Sequence, residues 1–346
     1  MKRVAIFSLL VVASMAALVT FPMVGGAQSS SGAAATVRTI NHLQIRVTDP
    51  LKSYEFYMKL LGGHAIDTGG NGSALTMMLG NSEQWVSFGK IREGSNAQPA
   101  TLDHAGIGID LPKNPERLRQ ALKDAFPSAN VRSPGKPGDK TYDRSIYLSD
   151  PEGFSIQLIS MKDGGHLPTA DKKPAVPRTQ AQGFVRFRSI NHLSITTTDR
   201  ERSRDFYMRL LGATVRDENK GQINMTLPGA KAWLSLLQSN ARSPVKPGYL
   251  HHLGVGIDYP SDIPGIDALR AKLTAAFPDS NVRSPGQPSP DLKNNYNRSI
   301  YVTDPDGVDL QLVTSTDDGW LNAAPAAISR TECRRDRSAP TDDDRR

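Results

Sequence analysis

Apolar and polar residues alternate through "INHLQIRV" (Ile40–Val47), the period-two signature of a strand. Leu43, Ile45 and Val47 fall on one face, and His42, Gln44 and Arg46 on the other. Asp49-Pro50 then opens a helix, with Asp49 as N-cap, Pro50 in the first turn and Gly62 as the stop. Spacings of three and four among Tyr54, Phe56, Tyr57, Leu60 and Leu61 give that helix one apolar face. Three short strand-like runs follow, "HAIDT", "ALTMML" and "QWVSFGK". The pattern restarts at "HAGIGID", with a helix over "NPERLRQALKDAF" and strands at "NVRS", "RSIYLSD" and "FSIQLIS". Each half-domain therefore reads strand, helix, three strands.

The whole pattern is written twice. "TINHLQIRVTDPLKSYEFYMKLLGG" (Thr39–Gly63) matches "SINHLSITTTDRERSRDFYMRLLGA" (Ser189–Ala213), and "RSIYLSDPEGFSIQLIS" matches "RSIYVTDPDGVDLQLVT". Repetition on this scale means one domain duplicated. The expected organisation is a leader over 1–27, a connector over 28–38 and a first domain over 39–160. A Pro-, Lys- and Gly-rich linker over 161–188, a second domain over 189–315 and a charged, disordered tail over 316–346 follow.

Period two also sorts the polar residues of interest onto one face of the sheet. His42, His104 and Gln157 share the face opposite the helices, and His192, His252 and Gln311 repeat them. Gly106 and Gly108 are expected to leave space beside His104, so that a curved face becomes a polar-floored cavity. A lone in-strand histidine is ordinarily structural. Two on successive half-domains, kept with the glutamine while surrounding loops have diverged, point to a site.

These stretches resemble the vicinal oxygen chelate superfamily, the glyoxalase, bleomycin-resistance and extradiol-dioxygenase group. "NHLxI…FYMKLLG", "H-x-G-x-G-I-D" and "IYLSDPEGFSIQL" carry the resemblance across nearly all the folded chain. It implies an α+β fold of tandem domains, each made of two paired βαβββ modules that form a cupped mixed sheet with helices outside. It also implies a divalent metal, Zn, Mn or Fe, on His42, His104 and Gln157 and on His192, His252 and Gln311. The last position is a carboxylate in the family. Glutamine there is a neutral, weaker ligand that leaves the ion loosely held. Tyr147 and Tyr301 match the signature tyrosine that lies over substrate in ring-cleaving dioxygenases. The histidine upstream of that tyrosine is missing, which argues against classical extradiol cleavage. Ser87 and Ser235 are placed to offer a weak fourth group, and Asp110 and Asp258 are candidate bases at strand ends.

Composition narrows the function further. The net charge is +7, and +5 without Lys2 and Arg3 of the leader, from 40 basic and 35 acidic side chains with no Lys/Arg block in the folded part. Nucleic acid is excluded as a partner. Two cations, a long apolar run and Gly25-x-Ala27 read as a signal peptide cleaved near Ala27, the other reading being a retained anchor. A periplasmic or secreted protein, off the membrane once cleaved, is expected, and export argues against glutathione-dependent chemistry. The single cysteine, Cys333, allows no internal disulfide. Two functions stay open. One is a metal-dependent, lyase-, isomerase- or dioxygenase-like enzyme acting on a small diol, dicarbonyl or phenol. The other is a metal-free small-molecule binding or sequestering protein, with Trp85, Trp233, Tyr147 and Tyr301 lining its groove. The first is favoured, with the two domains of one chain pairing with each other.

Overall fold

The computed structural model describes residues 34–67, 74–165, 179–239 and 250–315. The expected leader, most of the expected linker and the expected tail with Cys333 lie outside the described residues. Two mixed sheets form, one from each repeat. The first runs β6 (Ser145–Ser149), β7 (Ser155–Ser160), β5 (Thr101–Ile109), β1 (Val37–Val47), β4 (Trp85–Lys90), β3 (Ala74–Leu79), β2 (Gly62–Asp67) and β8 (Ala181–Gln182). Its first module is β1 (Val37–Val47), α1 (Pro50–Leu61), β2 (Gly62–Asp67), β3 (Ala74–Leu79) and β4 (Trp85–Lys90). Its second is β5 (Thr101–Ile109), α2 (Pro115–Ala125), a short α3 (Lys140–Arg144), β6 (Ser145–Ser149) and β7 (Ser155–Ser160). The modules join through the antiparallel pair β1/β5, and parallel β4 and β7 flank it.

The second sheet repeats the scheme. It uses β9 (Phe187–Thr197), α4 (Arg200–Leu211), β10 (Thr214–Asn219), β11 (Gln222–Thr226) and β12 (Trp233–Gln238). It continues with β13 (Leu250–Ile257), α5 (Ile263–Ala276), α6 (Asn295–Arg298), β14 (Ser299–Thr303) and β15 (Asp309–Thr314).

Local chemistry accounts for the boundaries. Asp49 accepts from the backbone N–H groups of Leu51 and Lys52 and starts α1, and Asn114 does the same for α2. Leu43, Ile45, Val47, Ile107 and Leu158 are fully or almost fully buried beneath the helices. One expected strand shrinks. In each second module "NVRS" makes only an isolated bridge, Arg132 to Tyr147 and Arg283 to Tyr301, because the proline that follows soon after leaves no room for a longer ladder. Part of the expected linker is structural instead: β8 (Ala181–Gln182) extends the first sheet, and Phe184 and Val185 donate to the last carbonyls of α1.

The two domains touch reciprocally. In the turn Asp150-Pro-Glu-Gly153, Asp150 Oδ1 accepts from the backbone of Glu152 and Phe154. Gly153 supplies the φ of 83° that a side chain would resist. Asp150 Oδ2 accepts from Tyr207 of α4, in the other domain, at 3.0 Å. Asp304, in the matching turn of the second domain, accepts from Tyr57 of α1 at 3.3 Å. Asp306 receives Thr48 and Ser53, and Glu152 receives Thr197 and Thr198. Phe56 packs on Phe277, and Phe206 on Phe126.

Candidate functional site

In the first domain β1, β5 and β7 bring three donor atoms together. His42 Nε2 lies 3.1 Å from His104 Nε2 and 2.8 Å from Gln157 Oε1. All three residues are buried. The glycine at position 106 is a condition of this packing, since a Cβ there would stand 2.0 Å from the His42 ring. The space beside the histidines is thus filled by protein: Gly106 admits His42, and Gly108 admits Met161. This corrects the expectation that the glycines leave a cavity.

Neighbouring acceptors set the tautomers. His104 Nδ1 lies 3.1 Å from Asp103 Oδ2, and a carboxylate can only accept, so His104 carries its proton on Nδ1 and turns a lone pair inward at Nε2. Arg46 holds Asp103 from the other side. Burial raises the Asp103 carboxyl, but His104 and Arg46 outweigh it and hold the group below its ordinary value. His42 Nδ1 meets Asn41 Oδ1 at 2.8 Å, while the Trp85 ring stacks on His42 at 3.7 Å. Gln157 Nε2 is buried without a hydrogen-bond partner among the described residues.

The second domain reproduces the centre with altered surroundings. His192 Nε2 lies 3.0 Å from His252 Nε2, with Gln311 close to both. Asn191 Oδ1 accepts from Trp233 Nε1 at 3.0 Å and therefore from His192 Nδ1, which leaves the His192 Nε2 lone pair facing inward. Trp233 stacks on His192 at 3.8 Å. Gln311 is braced by donating to Ser299 Oγ. Where the first domain has Asp103, the second has His251, whose Nδ1 lies 2.8 Å from His252 Nδ1. Burial, opposed by Gln311 and aided by the charge of Arg216, pushes His192 down to about 3.

Tyr147 and Tyr301 stand beside these centres. Each is the cross-strand neighbour of its glutamine, and their rings lie 5.2 and 5.5 Å edge-on to His104 and His252. Arg132 and Arg283 cover their other sides. Burial lifts both phenols to about 12, so they are neutral donors near pH 7.

Other expected participants fall away. Asp110 pairs with Arg38 and Asp258 with Arg188 at exposed strand ends, where the arginines hold both carboxyls low and occupied. Ser87 pairs with Gln44 on β1 as Gln157 pairs with Gly106 on β5, each pairing lying two residues past the histidine, but Thr76 donates to its hydroxyl. Ser235 likewise accepts from Gln222. Sequence reading missed Asp103, Asn41, Asn191 and the tryptophan stacking, although the repeated dipeptide Asn-His was a visible signal for the asparagines.

The donor set can be tested against a metal ion. Two ligands each about 2.1 Å from one ion and at right angles about it lie about 3 Å apart, which matches the observed spacings. In the first domain the His104 Nε2 lone pair and Gln157 Oε1 face His42 Nε2, and one neutral imidazole cannot supply a proton to both. A cation would relieve that deficit, and His104 backed by Asp103 has the carboxylate support typical of metal-binding histidines. Among the described residues no group of three His, Cys, Asp or Glu side chains is arranged to hold a metal, because glutamine is the third donor in both centres.

Two cups of paired strand-helix modules, each with donor atoms converging on its floor, define an oxygen-chelate type of fold. The chain belongs to the Glyoxalase/Bleomycin resistance protein/Dioxygenase superfamily, whose profile matches residues 39–158 and 189–312. One relative, the metallothiol transferase FosB of Staphylococcus epidermidis, is 24% identical over 122 residues, 35% of this chain and 81% of that protein. Among solved structures, a catechol 2,3-dioxygenase superposes with a TM-score of 0.57 at 16% identity, covering 82% of this chain and 89% of its own. The Mn(II)-bound glyoxalase of Novosphingobium aromaticivorans gives 0.55 at 13% identity, covering 81% and 83%. At such identities the structural likeness speaks for the fold alone.

Proposed function

We propose that this chain is an exported, divalent-metal-dependent enzyme of the superfamily, acting on a small diol, dicarbonyl or phenolic substrate. The observation that carries the reading is the convergence of His42 Nε2, His104 Nε2 and Gln157 Oε1. These residues would hold the ion in the first domain, and His192, His252 and Gln311 in the second. The first domain is the firmer site, because Asp103 both orients His104 and adds the negative charge that Gln157 lacks. A bound divalent ion would serve as a Lewis acid toward a pair of substrate oxygens. Tyr147, neutral and beside His104, donates a hydrogen bond to substrate and orients it. The names of the metallothiol transferase and the Mn(II)-bound glyoxalase support metal dependence. Lys2-Arg3, the apolar run and Gly25-x-Ala27 support export.

Elemental mass spectrometry on protein exported to a periplasm and purified without chelator tests this reading. We expect about one Zn, Mn or Fe per chain, approaching two when metal is supplied, as two His₂Gln centres of unequal strength imply. His104→Ala together with His252→Ala should abolish it. Metal-free protein that takes up neither Zn²⁺ nor Mn²⁺ at micromolar concentration would sink the enzyme and leave a ligand-sequestering protein.

A further inference from the structure

Open space in the first cup lies along β1, beyond the donor centre. His42, Gln44 and Arg46 share one face of that strand, and Gln44 pairs with both His104 on β5 and Ser87 on β4. From Gln44 onward a hollow of about 950 Å³ opens, its wall including Arg46, Gly89, Lys90, Arg92 and Glu93. A smaller hollow of about 440 Å³ shares Arg46 and Arg92 with it and reaches Asp103, the residue behind His104. Gly89 makes part of this room. A Cβ there would stand 3.3 Å from Arg46 Nη1 and 3.4 Å from Gln44 Nε2, so both side chains lie over the glycine.

The wall of the larger hollow is cationic. Arg46 commits Nε and Nη2 to Asp103 Oδ1, which leaves Nη1 over Gly89. Lys90 and Arg92 are exposed and form no ion pair among the described residues. Glu93 is the one acid among the described residues of the wall, and no aromatic ring is among them. Cations gathered on a concave wall raise the local concentration of anions. The second copy has lost each part of this arrangement. Where Arg46 pairs with Gly89 across β1 and β4, Thr196 pairs with Leu237 across β9 and β12, and Gln238 replaces Lys90.

We propose that the substrate of the first cup is elongated and carries an oxyanion at its far end, seated over Gly89 by Lys90, Arg92 and the free edge of Arg46. This rests on the reading that the other end of the substrate meets the donor centre of His42, His104 and Gln157. Gln44 and Arg46 lie two and four residues beyond His42, which sets the two ends about 7 to 13 Å apart at the rise of a strand. A flexible, unbranched spacer suits a wall without aromatic rings, and the Gln44 amide lies along its path. Charge-assisted hydrogen bonds then select anionic over neutral tails. The second cup, with Thr196, Leu237 and Gln238, makes no such selection.

The test titrates the full chain with suberate monohydroxamate, a chelating head on a carboxylate-ended chain, and with octanohydroxamate, which lacks the carboxylate. Both are run at constant ionic strength, on protein stripped over a chelating resin and on protein loaded with Zn²⁺. The backbone N–H signals of Gly89 and Lys90 are followed by NMR. In both preparations the carboxylate probe should move these signals saturably and bind about tenfold or more tightly than the neutral one. Lys90→Gln/Arg92→Gln should remove most of that advantage. Gly89→Leu, which installs the residue of the second copy, should do the same with Lys90 as reporter. Tightening by Zn²⁺ reports on the donor centre alone, so its absence would count against the metal reading and leave the anion seat standing. Equal affinity for the two probes, no saturable shift with either, or an advantage that survives in folded Lys90→Gln/Arg92→Gln would overturn the proposal.

Discussion

Glycine 106 shows how little room a single residue has at the floor of the first cup. Its missing side chain lets β1 and β5 pair with the His42 ring lying across the strand, and any Cβ would collide with ring atoms at 2.0 to 2.5 Å. The ring cannot yield easily, since Trp85 stacks on one side and His104 and Gln157 meet its edge. Gly106→Ala should therefore cost on the order of 1–3 kcal/mol, the usual range for overpacking a closed site. Gly221→Ala, where the nearest atom is 3.8 Å away, should be close to neutral. Thermal melts of the two variants beside the parent check this, and a Gly106→Ala protein as stable as Gly221→Ala would refute the packing argument.

Among the elements, the β6–β7 and β14–β15 hairpins each join a site to the domain boundary. Each carries a tyrosine and a glutamine as cross-strand neighbours, and each turns on an aspartate that accepts a phenol from the other domain. Burial lifts Asp150 and Asp304 to about 6, despite backbone and tyrosine hydrogen bonds that favour the charged form. An unfolded aspartate titrates near 3.9. These groups thus contribute stability that is present below about pH 4 and lost as pH rises through about 6. The buried His192 works the opposite way over that range, so the comparison must be between variants. In Asp150→Asn/Asp304→Asn the melting temperature relative to the parent should shift in the variant's favour from about pH 4.5 to about pH 7.5. A difference that does not change with pH would show that the two carboxyls do not titrate in this window.

At the scale of the molecule, each domain presents to the other the same set of groups. Tyr57, Asp150, Phe56 and Phe126 on the first answer Tyr207, Asp304, Phe206 and Phe277 on the second. Lys59 reaches the carbonyl of Ala276 near the C-terminal end of α5, and Arg209 reaches that of Ala125 at the end of α2. A surface that pairs with a near copy of itself is self-complementary in the manner of a two-fold dimer. Residues 34–165 expressed alone should therefore dimerise, with Tyr57 of one copy meeting Asp150 of the next. Light scattering behind size exclusion would report this, and a stable monomer would mean that the second domain supplies something its copy cannot.

Sequence by itself determined the elements, their duplication, the family and the candidate donors. Each of these rests on local periodicity, caps and turns, or on repeated strings such as "NHLxI" and "DPxG". Period two alone was enough to place His42, His104 and Gln157 on one face. Tertiary structure decided what those residues meet. Asp103 backs His104 while His251 replaces it in the second cup, Gly106 is filled by His42, and Asp110 and Asp258 are bound to arginines far from the floor. The physical reason is common to all of these. A strand's own pattern sets which way a side chain points, but its partner depends on the pairing register of strands about 60 to 115 residues apart, which is settled only when the sheet closes.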